Sequence, residues 1–339
     1  LETAISVANP TAFAPKEMQD GGTSEVFIFL ECRAESVEPN PDLQLLLYNM
    51  GAHDIVLRFL NLPVAVLPVP DDFGKRQVLI AAYRMLKALC SGFKVTQLAL
   101  VPHIDKITSQ IELQLISHDI TPTGCLISIL KDNPSACMQI SDDLIRRFIR
   151  MAAESHAPRF IRFLRNITGP EEQPILRTQF FVIQGISENI DAQVFFDGEE
   201  GIKERDELIA KNDHINNPRG KLAYHIELIG LVARCTEGIA PGPEMVGRSL
   251  ITLTDIMRHL NCSNLPLTLR ANYLAFFDEA YLFAKRPLEK SNELIVLLNM
   301  FANRVENYVR DTLPSLDRDF DRFSPEGQLT EYVFGSLTT

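Results

Sequence analysis

The run Ser141-Asp142-Asp143-Leu144-Ile145-Arg146-Arg147-Phe148-Ile149-Arg150-Met151-Ala152-Ala153-Glu154 sets the grammar of the whole chain. Leu144, Ile145, Phe148 and Ile149 recur at the 3–4 spacing of one helix face, and Arg146, Arg147 and Arg150 fall mainly on the other side. Ser141 precedes the stripe as an N-cap, its hydroxyl free to accept a first-turn amide. Asp142 and Asp143 set negative charge at the positive end of the helix dipole.

The same pattern extends in both directions. Toward the N-terminus, Asp42–Met50 reads as a short apolar helix stopped at Gly51. Ile55–Leu60 follows at once and stops before Pro63, so the two form an αα-hairpin. The loop 63–74 carries Pro63, Pro68, Pro70 and Gly74, which no helix threads, and helix resumes at Arg76–Leu89. Toward the C-terminus, helices are predicted at Arg159–Ile167, Pro174–Ile186, Glu199–Lys211, Lys221–Cys235, Leu250–Leu260, Leu267–Ala284 and Asn292–Val309. Short breakers separate them, among them Gly169-Pro170, Asn217-Pro218 and Gly238 to Pro243. Val194-Phe195-Phe196 would pass for a strand, but one apolar triplet among helices is weak evidence for one.

Counted in pairs, the helices return every roughly 35–45 residues, the period of armadillo and HEAT units. A hairpin of this size cannot bury its own apolar face, and stacking on the next hairpin does so. The expectation is an all-α, armadillo/HEAT-like α-solenoid of stacked helical hairpins over 42–339. An irregular lead-in over 1–41 precedes it, with one short ordered piece at Val26–Cys32. If the solenoid divides, the predicted meeting point of its two sub-blocks is near 188–218.

Composition narrows the function. The 339 residues are 46% hydrophobic and 23% charged, too apolar for disorder. A formal net charge of −11 disfavours nucleic acid or anionic lipid as the main partner. No apolar run approaches the roughly 20 residues that span a bilayer. Cys32, Cys90, Cys125, Cys137, Cys235 and Cys262 form no C-x-x-C pair, and read as free buried thiols of a reducing compartment. The start at Leu1-Glu2, without methionine or signal region, reads as a piece of a longer chain.

Catalytic and metal patterns are weak. His103 with Asp105 lacks a nucleophile, and no G-x-S-x-G, H-E-x-x-H or Gly-rich phosphate loop occurs. His259 and Cys262 are spaced like half a zinc site without a second pair. Asp197-Gly198-Glu199-Glu200-Gly201 fails the ligand order of a calcium loop, and more simply charges a helix first turn. No enzyme, cofactor or metal is expected. Arg146 with Arg150, and Arg159 with Arg162, share helix faces. Such a cluster would suit an inositol phosphate by forked hydrogen bonds, but a solvated face or a dock for an acidic neighbour is the favoured reading.

One stretch is more specific. Asn217-Pro218-Arg219-Gly220-Lys221-Leu222-Ala223-Tyr224-His225-Ile226-Glu227-Leu228-Ile229-Gly230-Leu231-Val232-Ala233-Arg234-Cys235-Thr236-Glu237-Gly238 resembles the inositol trisphosphate receptor family. The second ryanodine/inositol trisphosphate receptor homology region of that family carries a Tyr-His-Ile-x-Leu helix ending in Cys-Thr-Glu-Gly. Leu45 to Leu57 is similar to the family's Leu-Leu-x-x-Met-Gly-x-His-x-Val-Val-Leu hairpin. Phe160-Ile161-Arg162-Phe163-Leu164 is similar to its Tyr-Ile-Lys-Phe-Leu, and Ala271 to Phe277 to its Ala-Tyr-x-Asn-Phe helix. The chain departs where the family continues Lys-Asn-x-Tyr-Thr-Glu, with Ile239-Ala240-Pro241-Gly242-Pro243-Glu244 instead. That marks a divergent member or a ryanodine receptor-like relative.

The resemblance implies a central solenoid module of a homotetrameric, ligand-gated calcium-release channel on the cytosolic face of the endoplasmic reticulum. Its partners would be other domains and subunits of the same channel. Its role would be to relay ligand-driven motion toward the pore. The helix residues carrying the resemblance are Tyr224, His225, Leu228, Cys235, Glu237 and Gly238, in a structural role. The alternative is a free-standing armadillo-type scaffold that binds a protein partner through the arginine face.

Overall fold

The computed structural model describes residues 40–60, 72–112, 122–170, 173–238, 241–260, 262, 264–282, 295 and 299, the side chains of 72–78 and 112 excepted. Residues 1–39 of the lead-in expected over 1–41, its ordered piece at Val26–Cys32 and most of the helix expected at Asn292–Val309 lie outside them. Ile295 and Asn299 are helical.

Among the described residues the chain is helical, without a strand. The order is α1 Pro41–Asn49, α2 Ala52–Leu60, α3 Asp72–Cys90, α4 Lys94–Leu100, α5 Ile104–Glu112, α6 Pro122–Leu130 and α7 Pro134–Cys137. Then come α8 Asp142–Ser155, α9 Pro158–Thr168, α10 Leu176–Glu188, α11 Gly198–Ala210, α12 Asp213–Asn216, α13 Lys221–Thr236, α14 Pro241–Leu250, α15 Leu253–Leu260 and α16 Leu267–Phe277. A π turn at Asp278–Leu282 continues α16. The fold is the all-α, armadillo-like class that the helix spacing predicts. The chain packs as two compact units, one of residues 1–144 with 170–173, the other of 145–169 with 174–339.

The first unit shows how three helices close. Asn40 caps α1, its side chain accepting from the amides of Asp42 (3.0 Å) and Leu43 (3.2 Å), with Pro41 at the first helical position. Gly51 ends the helix at φ +71°, a left-handed turn that suits glycine. α3 then packs on α2, burying Leu79, Ala82, Tyr83, Leu86 and Leu89. Gln44, the fourth residue of α1, is buried and reaches across. Its Nε2 donates to the carbonyls of Ala88 (2.8 Å) and Ser91 (2.9 Å) at the end of α3. α4 to α6 repeat the arrangement. Gln97, fourth in α4, donates Nε2 to Ser128 O and Lys131 O, both at 2.9 Å. Asn133 fixes that amide by donating to Gln97 Oε1 (2.9 Å). The last carbonyls of a helix have no intrahelical partner, so a buried amide that takes two of them both satisfies the backbone and fixes the pitch of the third helix on the first.

The second unit is built around α13, of which nearly every side chain is buried, as expected for a helix apolar all round. α9, α10, α14 and α16 pack against it. Phe148 of α8 stacks on Phe163 at 3.7 Å between ring centroids and meets Phe160 edge-on at 5.9 Å. Ser141 accepts the Leu144 amide (3.2 Å), the cap its position predicts.

Two local expectations change. Pro241-Gly242-Pro243, read as a breaker, opens α14, because proline in a first turn gives up no helical hydrogen bond. Leu250 closes α14 rather than opening the next helix. Thr252 caps α15, accepting from Asp255 N (3.2 Å) while its own amide donates to Asp255 Oδ2 (3.1 Å), a capping box whose acid is one methylene shorter than the usual glutamate. Val194-Phe195-Phe196 is an irregular buried connector, in keeping with the weak strand signal of a lone apolar triplet.

Candidate functional site

The site of interest is the Tyr224–Gly238 helix and what grips it. Tyr224 and His225 lie in the second turn of α13, both fully buried. Tyr224 Oη donates to Ala192 O at 2.9 Å. His225 Nδ1 lies 2.7 Å from Val194 O, and since a carbonyl only accepts, Nδ1 carries the proton. Adjacent residues of one helix thus take the carbonyl that ends the 3-10 turn Ile190–Ala192 and one in the irregular connector after it, neither of which has a ladder to satisfy it. This is a physical reason for a Tyr-His pair. The connector is strained where they hold it, with Phe196 at φ +57° and its ring edge-on to His225 at 5.0 Å.

Behind His225 lies a polar knot that the sequence did not announce. Tyr273 Oη of α16 donates to His225 Nε2 (3.3 Å). The Tyr273 ring stacks on His259 of α15, 4.8 Å between centroids. Arg205 of α11 is 1% exposed. Its Nη1 donates to His259 Nδ1, while Nε and Nη2 hold Asp206 Oδ1 at 2.9 and 2.6 Å. Burial pushes the His225 imidazole down to about 4, against the pull of its Val194 hydrogen bond, with Arg205 adding to the shift. Burial likewise drives His259 far below the ordinary histidine value, helped by His225 and Arg205. The knot holds one cation and two neutral imidazoles.

His259 is thus engaged by both Arg205 and Tyr273. Cys262 Sγ stands 3.7 Å from Asp206 Oδ1. Among the described residues no group of three or more His, Cys, Asp or Glu side chains converges as a metal site would. Cys90, Cys125, Cys137 and Cys235 are buried free thiols. Burial raises Cys125 and Cys137 to about 12, which leaves them poor nucleophiles.

The far end of α13 is gripped as firmly. Gln179, fourth in α10, donates Nε2 to Arg234 O (2.9 Å) and Glu237 O (3.1 Å), the same device as Gln44 and Gln97. Arg234 Nη1 binds both Glu237 oxygens at 2.6 and 2.5 Å, and Nη2 donates to Gly169 O at the end of α9. Gly238 leaves at φ +78°, and its amide donates to Glu279 Oε2 (3.3 Å). Leu228 and Cys235 are core residues with no exposed surface.

The arginine face divides. Arg162 Nε is 2.6 Å from Glu227 Oε1, with Arg165 3.7 Å from the other oxygen, so both are tied to α13. The Arg159 guanidinium lies over the Phe160 ring at 4.8 Å, and burial lowers its pKa, with Arg219 adding to the effect. Arg146 lies over Phe181 of α10 at 4.9 Å, and Arg150 is exposed on α8. Sequence alone gave Arg146, Arg150, Arg159 and Arg162 one character, whereas here each has a different engagement. Arg205, Tyr273, Gln179 and Asn272, whose Nδ2 donates to Ile226 O (2.8 Å), were not foreseen. Their only signal was polarity at core positions of a helical pattern.

A helical-repeat module whose central helix is gripped at both ends is the class these features define. Residues 31–197 match the RIH domain, a span that stops short of α13. Over 254 residues the chain is 25% identical to the inositol 1,4,5-trisphosphate receptor itr-1 of Caenorhabditis elegans, a stretch covering 72% of this chain and 9% of that receptor. Over these spans the chain is similar to the inositol trisphosphate receptor family. It spans about a tenth of the length of the curated relative it matches.

Proposed function

We propose that this chain is a regulatory and structural module of a ligand-gated intracellular calcium-release channel, relaying motion of ligand-binding domains toward the pore. The parent would be a homotetramer on the endoplasmic reticulum, with this module on the cytosolic face and its partners the channel's own domains and subunits. Among the described residues no helix is long and apolar enough to cross a membrane, so the pore would lie elsewhere in the parent. No step of chemistry is assigned to the module. What supports a relay is the grip on α13. Tyr224 and His225 at one end, and Gln179, Arg234 and Glu237 at the other, make α13 a stiff member that moves with whatever it is fastened to. Stiff packed elements transmit displacement where loosely held ones absorb it.

The test is calcium efflux from endoplasmic reticulum vesicles bearing the full-length parent. Gln179→Leu and Tyr224→Phe each loosen one end without removing the core. We expect assembled channels whose ligand-evoked flux needs more ligand. Flux unchanged in both variants, with the loosening confirmed by hydrogen exchange, overturns the relay. A second reading, a free-standing scaffold for an acidic protein partner, is favoured by the exposed Arg150 on α8. A parent reading frame without transmembrane segments would select it.

A further inference from the structure

The fourth residue of α1, α4, α10 and α14 is Gln44, Gln97, Gln179 and Glu244 in turn. The first three are the amide clamps. Glu244 is buried, and a carboxylate cannot donate to carbonyls. The donor in α14 comes one turn later, from Arg248, whose Nε binds Ala280 O at 2.7 Å. Glu244 Oε2 lies 4.0 Å from Arg248 Nη2. The Arg248 guanidinium sits over the Tyr281 ring at 5.3 Å, and Tyr281 Oη donates to Ile251 O at 2.9 Å.

At this point α16 departs from α geometry. Asp278–Leu282 is a π turn. A π turn carries one residue more than an α turn and persists only where its surroundings over-determine it. Three bonds do so here, Arg248 to Ala280, Tyr281 to Ile251, and Gly238 to Glu279. The last joins the turn to the end of α13. Taking up the extra residue would rotate the chain leaving the turn by about 100°.

We propose that the Asp278–Leu282 turn is a two-state latch. Arg248 holds it in π register, and release of that hold lets it relax to α register, parting Glu279 from Gly238 at the end of α13. The charged clamp makes this joint sensitive to competing ions and charged partners, where the glutamine joints are not. The device is independent of the channel reading, and its test reads the chain alone.

Amide hydrogen exchange on the 339-residue chain decides it. Arg248→Gln should speed exchange of the 278–282 amides and of Gly238 about tenfold, the scale of one charge-assisted hydrogen bond, because a turn free to pass between the two registers breaks its own hydrogen bonds at each crossing, with α13 unchanged. Deleting Asp278 in that background should restore slow exchange at the turn but not at Gly238, because the shortened turn is plain α-helix. The proposal is overturned if Arg248→Gln changes nothing, if protection falls evenly through α13 to α16, or if the deletion leaves the turn as fast as before. A mere loss of packing would not be repaired by removing a residue.

Discussion

Gln179 and Glu237, far apart in sequence, meet where the Gln179 amide takes the Glu237 carbonyl at 3.1 Å and, with its second hydrogen, the Arg234 carbonyl at 2.9 Å. The carbonyls that end α13 are thus taken by a side chain of another helix. Gln179→Leu keeps the bulk and removes both donors, and is expected to cost about 2 kcal/mol. Gln179→Glu should cost more, because it points a carboxylate at two carbonyl oxygens. Urea unfolding of the chain followed by circular dichroism gives the order, and an equal loss in both variants would remove the clamp as its cause.

Acid should weaken the second unit in a defined window. His225 titrates near 6.5 when unfolded and near 4 when buried, so between these values the unfolded chain binds the proton more readily. Stability is therefore full above about pH 6.5 and falls as pH drops toward 4, at up to about 1.4 kcal/mol per unit for this group alone. His259, displaced in the same direction, extends the loss to lower pH. Midpoints of urea unfolding at a series of pH values should show the slope. His225→Gln should be less stable at neutral pH, having lost the Val194 contact, and should have a shallower slope below pH 6.5.

Much of the fold was legible because amphipathic period and caps speak locally. Ser141, Gly51 and the Leu144–Ile149 stripe predict helix ends and faces from neighbours alone. The glutamine clamps were not, since their repeat shows only in three dimensions. Gln44, Gln97 and Gln179 stand at unequal intervals because the loops and inserted helices between them differ in length. Glutamine also carries no sign of burial. α14 was hidden by the ambiguity of proline, which ends a helix from inside yet begins one readily. Tyr224 and His225 were singled out by resemblance, but the carbonyls they hold belong to a connector whose apolar sequence looked like a strand. Arg205 resembled any surface cation of an acidic helix until its neighbours enclosed it.

Arg205 and Asp206 make a test of how a buried cation is tolerated. The arginine is buried, while the Asp206 side chain is 48% exposed. Removing the carboxylate leaves a charge in the core, whereas removing the arginine leaves a carboxylate that water still reaches. Asp206→Ala should therefore destabilise the chain more than Arg205→Met, by about 1 kcal/mol or more, although Arg205 is by far the more buried. Thermal unfolding of the two variants side by side measures this. The reverse order would mean that the Arg205 bond to His259, not its charge balance, dominates the knot.

Arg162 and Glu227 give the opposite case. Their contact is short, 2.6 Å, but the arginine side chain is 51% exposed, and a pair so open to solvent is worth about 0.2–1 kcal/mol. A double-mutant cycle with Arg162→Ala and Glu227→Gln should return a coupling in that range that shrinks as salt is added. Arg165 on the second carboxylate oxygen adds a weaker, longer contact at 3.7 Å, so Glu227→Gln alone should cost slightly more than Arg162→Ala. The result also bears on the scaffold reading. If an acidic partner docks on this face, the Arg162 guanidinium must leave Glu227 to meet it. Glu227→Gln, which frees the arginine in advance, should then tighten binding of an acidic peptide, while Arg162→Ala should weaken it. A peptide that binds both variants alike does not use this arginine.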